Sequence, residues 1–190
     1  ELRYQMAQGF IEVIAKQFGS HWSHRIEHVL RLSLLALLDY PEATLQGIIH
    51  LLTDREYRVN VIPHISDDMV KRFFEIEFDE WALKFDMDAI MPIVNYITQF
   101  LAIPMLRNIF VQKENKITID EIIDTRKILL INLAKGKIGE ENASFLGSLF
   151  MNKIKQAGMA RAEFSDDKRK DFHLYFYEFH TVMTGSFINL

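Results

Sequence analysis

The sequence contains no cysteine and no apolar stretch long enough to cross a membrane. The absence of cysteine excludes disulfide scaffolds, thiolate metal sites and cysteine nucleophiles. A helix that spans a bilayer needs about 18 or more consecutive apolar residues. A short apolar run such as residues 34–38 instead predicts the interior of a core helix. We therefore predict no membrane span.

Two further absences concern phosphate and nucleic acid binding. No G-x-x-x-x-G-K-[ST] motif is present, and the pair Gly136-Lys137 is followed by Ile138 with no second glycine at the required spacing before it. The backbone N–H groups that cradle phosphate in such a loop are therefore not available from this chain. The net charge of −4 provides no basic surface for autonomous DNA binding, although a larger parent protein could supply one.

The chain does contain enough apolar material to build a core. Its 190 residues are 49% hydrophobic, 12% aromatic and 25% charged, which is typical of a globular domain. This length predicts one domain, or one domain with a small annex. The sequence opens on Glu1 without an initiating Met and closes on the apolar residues 187–190. We expect both ends to be cut from a longer protein.

Residues 1–125 have the three- and four-residue apolar spacing of amphipathic helices. Gly19 and Pro41 predict helix ends, and Ser20 and Ser66 are the predicted N-caps of the helices that follow them. The predicted helices cover residues 2–18, 21–38, 44–52, 53–57, 66–85, 88–102, 104–110 and 118–124.

Residues 126–190 change to an alternation of strand and helix. The apolar run 127–132 predicts a strand, the Gly136–Gly139 turn leads into a helix that ends near Ala160, and 172–178 predicts a second strand. A strand, a helix and a strand in this order predict a βαβ unit of a parallel sheet. The predicted fold is therefore mainly α with a small parallel β-sheet (α/β), with a helical region at 1–125 and an α/β region at 126–190.

The sequence around these predicted strands resembles a family of motor proteins. The stretch KILLINLAKGKIGEENASFLGSLF, which begins at Lys127, and FHLYFYEF, which begins at Phe172, are similar to the conserved middle of type IV secretion and conjugative coupling-protein ATPases, relatives of the HerA-type DNA translocases. The earlier segments HRIEHVLRLSLLALL, LLTDREYR and KRFFEIEFDEWALKF resemble the helical insert of the same family. The resemblance covers nearly the whole chain.

This resemblance implies part of a RecA-like motor that moves DNA or protein through a secretion machine. It implies ATP and Mg²⁺ as cofactors of an intact family member, although this chain lacks the phosphate-binding loop and is expected to hold none itself. It also implies secretion-machine proteins or DNA as partners, homo-oligomerisation of the full-length protein, and a cytoplasmic location at the periphery of an inner-membrane complex.

The same resemblance implies four candidate site residues. The family's Walker B strand ends in Asp-Glu, and here Tyr177 takes the Asp position while Glu178 takes the Glu position. A phenol is neutral at pH 7 and a poor magnesium ligand, so only Glu178 remains as the catalytic base. His180 stands where the family has Gln. Arg161 matches a family arginine that acts in trans at a subunit boundary; its alternative role is charge compensation at a helix C-terminus.

Other polar groups receive a structural interpretation. His21, His24 and His28 have a spacing that could bind Zn²⁺ or Ni²⁺ on one helix face, but the stripe continues into leucines, so no metal site is assigned. The acids of residues 75–80 alternate with aromatic side chains and are expected to form a solvated helix face.

We therefore predict a fragment of a type IV secretion or conjugation ATPase that does not itself hydrolyse ATP. The alternative is a non-enzymatic helical protein-interaction module. A metal-binding helical protein is a third, weaker alternative.

Overall fold

The computed structural model describes residues 2–112, 116–161, 164–165 and 169–177. The structure is 75% helical, and its described residues contain no β-strand, so the fold is all-α. The α-helices are α1 Leu2–Phe18, α2 His24–Leu38, α3 Gln46–Thr53, α4 Arg55–Val61, α5 Asp68–Arg72, α6 Phe78–Phe85, α7 Met91–Ala102, α8 Pro104–Phe110, α9 Ile119–Asp124, α10 Lys135–Ile138 and α11 Glu140–Ala160.

The predicted parallel sheet and its βαβ unit are wrong. Residues 127–134 and 171–176 have no regular secondary structure in the described part of the chain, although α11 lies between them in sequence as predicted. Apolar and aromatic composition gives a segment the propensity for a strand, but a strand also needs a neighbour about 4.8 Å away to complete its hydrogen bonds. The composition of 127–132 and 172–178 indicated strand propensity and could not supply that neighbour.

The chain divides into two compact units. The first unit comprises Glu1–Ile11 and Gly19–Glu114, and the second comprises Glu12–Phe18 and Asn115–Leu190. Helix α1 therefore contributes residues to both units.

Helix α2 is the central helix of the first unit. Val29, Leu30 and Ala36 are fully buried, as the nearly continuous apolar second half of this helix predicted. Ser33 is also buried, and its hydroxyl donates a hydrogen bond of 2.7 Å to the Val29 carbonyl. This bond satisfies the one polar side chain in the middle of an otherwise apolar stretch.

Two helices begin at a different residue from the one predicted. The N-cap of α2 is Ser23, whose hydroxyl accepts from the Ile26 amide, whereas Ser20 lies in the 3₁₀ turn Gly19–His21. The N-cap of α5 is Asp67, whose carboxylate accepts from two amides at 2.9 and 3.2 Å. Ser66 instead bonds Asp39 through both its amide and its hydroxyl. Adjacent residues with cap-forming side chains make the exact start of a helix hard to choose from sequence.

Residues 68–102 form one continuous helical run rather than the two predicted helices. Two π-helical segments, Phe73–Glu77 and Asp86–Ile90, connect α5, α6 and α7. Pro92 follows the second segment at the start of α7. Because proline has no N–H and its ring crowds the carbonyl four residues earlier, the wider π turn lets the helix continue; the Met91 amide bonds the Asp86 carbonyl five residues back.

The second unit is organised around α11, the longest helix. Ile119 and Ile123 of α9 and Ile154 and Ala157 of α11 form a buried cluster, which we call the α9–α11 cluster. Gly139 precedes α11 with φ of +84°, which glycine adopts without steric cost. The predicted turn therefore exists, but Gly136 lies inside the short helix α10.

No single helix among the described residues is both long and apolar enough to cross a bilayer. One pair, Asp68–Ala102 with Pro104–Phe110, meets the length and composition criteria together but is bent by 109°.

Gly47 tests the packing of the first unit. A Cβ at this buried position of α3 would lie 2.7 Å from Tyr57 Oη and 3.3 Å from Leu37 Cδ2. We predict that Gly47→Ala lowers the free energy of unfolding by about 1–2 kcal/mol, because overpacking exceeds the helix propensity gained. Urea unfolding followed by tryptophan fluorescence measures this loss, since both tryptophans lie in the first unit.

The matched control is the same substitution in a Tyr57→Phe background. That background lacks the hydroxyl that causes the closest contact. Gly47→Ala should therefore lower the free energy of unfolding less in the Tyr57→Phe background than in the original chain. An equal cost in both backgrounds would show that Tyr57 is not the obstacle.

Candidate interaction site

The structure describes two of the four predicted motor residues, Tyr177 and Arg161. Glu178 and His180 lie outside the described residues. Tyr177 is 94% exposed, so its phenol is directed to solvent. Arg161 is buried at the C-cap of α11.

The Arg161 guanidinium joins the end of α11 to α9. Its Nη1 donates to Asp120 Oδ1 at 2.6 Å and to the Ala157 carbonyl at 2.7 Å. Its Nη2 donates to Asp124 Oδ1 at 2.7 Å and to the Asp120 carbonyl at 3.0 Å. Burial alone lowers the pKa of Arg161, but the hydrogen bonds to Asp124 and Asp120 more than offset it, so the pKa is raised above its ordinary value. The guanidinium is charged at every physiological pH.

This arrangement bears on the predicted role of Arg161. A trans-acting arginine would have to exchange these bonds for a ligand on another subunit, and that role stays a prediction. Asp120 and Asp124 are four residues apart on the predicted helix 118–124. In the sequence, this spacing indicates that one cation could contact both carboxylates, because it places them on one face of the helix.

Helix α9 ends in a geometry that fixes the direction of the chain after it. Arg126 has φ of +55°, its amide bonds the Ile123 carbonyl and the Lys127 amide bonds the Ile122 carbonyl. These two bonds form a Schellman motif, in which the left-handed position is usually glycine. Lys127 also pairs with Glu121 at 2.6 Å. The 127–134 segment therefore leaves α9 in a defined direction.

Residues 128–131 follow the two-residue alternation of a β-strand. Leu129 packs against the α9–α11 cluster and Ile131 is 38% exposed, whereas Ile128 and Leu130 are 88% and 89% exposed. Within the described part of the chain, no backbone hydrogen bond is formed by residues 128–133. The face that carries Ile128 and Leu130 is thus open to solvent.

The 171–177 segment has a similar alternation. Phe172 packs against the same α9–α11 cluster. Leu174 and Phe176 are each 39% exposed, whereas Tyr175 and Tyr177 are almost fully exposed. Both segments therefore have one side directed to the α9–α11 cluster and the other side to solvent.

The histidines considered as metal ligands do not share one helix. His21 lies in a 3₁₀ turn, His24 is the first residue of α2, and the His28 ring contacts Phe73 and Trp81 at centroid distances of 5.4 and 6.1 Å. Among the described residues, no group of three His, Asp or Glu side chains is arranged to hold a metal ion.

Comparison with protein-family models, with curated proteins and with solved structures finds no match for this chain.

The Arg161 bonds can be tested by substitution. We predict that Arg161→Ala lowers the stability of the second unit by about 1–3 kcal/mol. Hydrogen bonds to charged groups contribute in this range. Solvent screens the two ion pairs, because the side chains of both aspartates are 58% exposed, and the loss is therefore not larger. Arg161→Lys should recover only part of the loss, because a lysine cannot make the two-pronged contact.

Hydrogen exchange of the α9 and α11 amides measures this effect directly in the second unit. Lys153→Ala is the control, since Lys153 is an exposed residue of the same helix. Unchanged α9 protection in Arg161→Ala would show that these bonds do not hold the two helices together.

Proposed function

We propose that this chain is a non-enzymatic helical interaction module whose second unit binds an extended strand of a partner protein. The observation that carries this proposal is the 127–134 segment. Its inner side chain is packed, its outer isoleucine and leucine are almost fully exposed, and its backbone has no ladder partner among the described residues.

An extended segment of this kind suits strand addition. In strand addition a partner's backbone supplies the missing hydrogen bonds, and side chains of alternating direction provide selectivity. Leu129 and the Schellman motif already fix one side and one end of the segment. The loss of conformational entropy on binding is therefore smaller than for a free peptide.

The charges near the segment favour an acidic partner. Arg126 and Lys127 precede the apolar residues, and Lys135 and Lys137 follow them. Two of these four cations already have an acidic neighbour in the chain: Lys127 pairs with Glu121 and Lys135 with Glu140. Opposite charges on paired strands are favourable and like charges are unfavourable. A second copy of the 127–134 segment would place basic residues against basic residues in either orientation. We therefore propose an apolar strand with an acidic residue at each end.

The secretion-machine setting remains a prediction of the resemblance, as do DNA and secretion proteins as partners and the absence of ATP hydrolysis. We do not extend the proposal to a motor, because the described residues contain no strand of the parallel sheet on which that interpretation depended.

A labelled nine-residue peptide of alternating valine and threonine, with an aspartate at one end and a glutamate at the other, tests the proposal by fluorescence anisotropy. We predict binding that is about tenfold weaker for the same peptide with lysine ends, because several charge pairs of up to about 1 kcal/mol change sign. Leu130→Pro should also weaken binding about tenfold or more, since proline removes one of the backbone N–H groups of the segment.

Val59→Gln is the control, because Val59 is an exposed apolar residue of the first unit. Equal affinity for acidic and basic peptides, or binding that survives Leu130→Pro, would contradict the proposal. Sedimentation of the chain alone gives a further check: self-association that Leu130→Pro abolishes would make a second copy the occupant instead.

A further inference from the structure

The helical run 68–102 has a line of exposed apolar side chains on the first unit. Ile76, Leu83 and Met87 are 66%, 87% and 77% exposed. Each lies midway in sequence between two apolar residues that are buried or half-buried, which places it on the opposite side of the run. Those flanking residues are Phe74, Phe78, Trp81, Phe85 and Ala89. Single exposed apolar residues are ordinary, but three on one side of a helical run are of the kind that marks an interaction site. We call these three residues the outer stripe.

The acids beside the outer stripe give it a strongly negative surround. Residues 75–88 contain six carboxylates and one lysine. Three of the carboxylates pair with arginines: Glu77 with Arg72, Asp79 with Arg58 and Asp88 with Arg25. The three others, for which the described residues contain no ion-pair partner, are Glu75, Glu80 and Asp86.

The helix that carries the outer stripe is held firmly from its other side. Phe73, Phe74 and Phe78 are buried beneath it. The Arg58 guanidinium lies 4.6 Å from the Phe78 ring centroid while it pairs with Asp79. These contacts fix the stripe on a rigid element before any partner arrives, which lowers the entropic cost of binding.

We propose that the outer stripe binds an amphipathic helix of a partner protein that has lysine or arginine on both sides of its apolar face. An apolar line with a spacing of about seven residues matches the helix-in-groove mode of recognition. Met87 at its end is flexible and polarizable, so it adapts to different apolar side chains.

The charges decide between this partner and the alternatives. A second copy of the chain would bring its acidic surround against the first, and like charges across an interface are unfavourable. The surface of an anionic membrane would be repelled for the same reason. A basic amphipathic helix supplies both the apolar contact and the opposite charge.

A labelled 18-residue helical peptide built from leucine and lysine, with its leucines on one face, provides the probe. We expect it to bind the full chain in an anisotropy titration, and its leucine–glutamate analogue not to bind. The double variant Ile76→Gln, Leu83→Gln should weaken binding about tenfold or more. The double variant Glu75→Gln, Glu80→Gln should weaken it about threefold and reduce its dependence on salt.

Met159→Gln is the matched control, because Met159 is 51% exposed and lies in the second unit. All replaced side chains are exposed, so circular dichroism should show unchanged folding. Lysine-peptide binding that is equally strong in the Ile76, Leu83 double variant would overturn the proposal, as would no binding up to about 1 mM peptide. Binding to phosphatidylglycerol or phosphatidylcholine vesicles that the double variant abolishes would instead assign the stripe to a lipid surface.

Discussion

The second unit depends on one cation shared between two helices. Arg161 closes the end of α11 with one bond to its own helix and reaches α9 with three others. Beside it lies a small apolar cluster of four buried residues. Burial of apolar surface stabilises without direction, and the paired carboxylates add direction as well as energy. The orientation of α9 in turn sets where the chain emerges at Lys127, and with it the exposed extended segment.

The helices of residues 2–124 show what periodicity can and cannot predict. The bounds of α1, α8 and α9 agree with the apolar spacing to within a residue, because each helix buries one face and ends at a clear local signal. The junctions of 68–102 were not predictable in the same way. The gap expected before residue 88 is bridged by a π-helical turn, which has no strong sequence signature and depends on tertiary packing as well as on Pro92.

The extended segments show the corresponding limit for strands. Residues 127–132 and 172–177 have strand-like composition and strand-like alternation, but pairing is a long-range property that composition does not encode. The predicted site residues depended on that pairing. Arg161 was correctly placed at the end of a long helix, whereas its two aspartate partners could be found only once α9 and α11 were seen together. The residues of the proposed outer stripe were not singled out from the sequence, because an apolar residue on a helix is assigned to the core by default.

Because two π-helical segments interrupt 68–102, the number of residues in this run determines which side chains are buried, as its composition does. Each π turn accommodates one more residue than an α turn. Loss of a single residue within Asp86–Ile90 would be absorbed by a return to ordinary α-helical winding, whereas loss of a residue from an α-helical part of the run would rotate everything beyond by about 100° relative to everything before. Residues such as Ile93 and Ile97, now buried, would then point elsewhere. Insertions and deletions in this stretch of the gene are therefore constrained by phase, even where the individual side chains are freely replaceable.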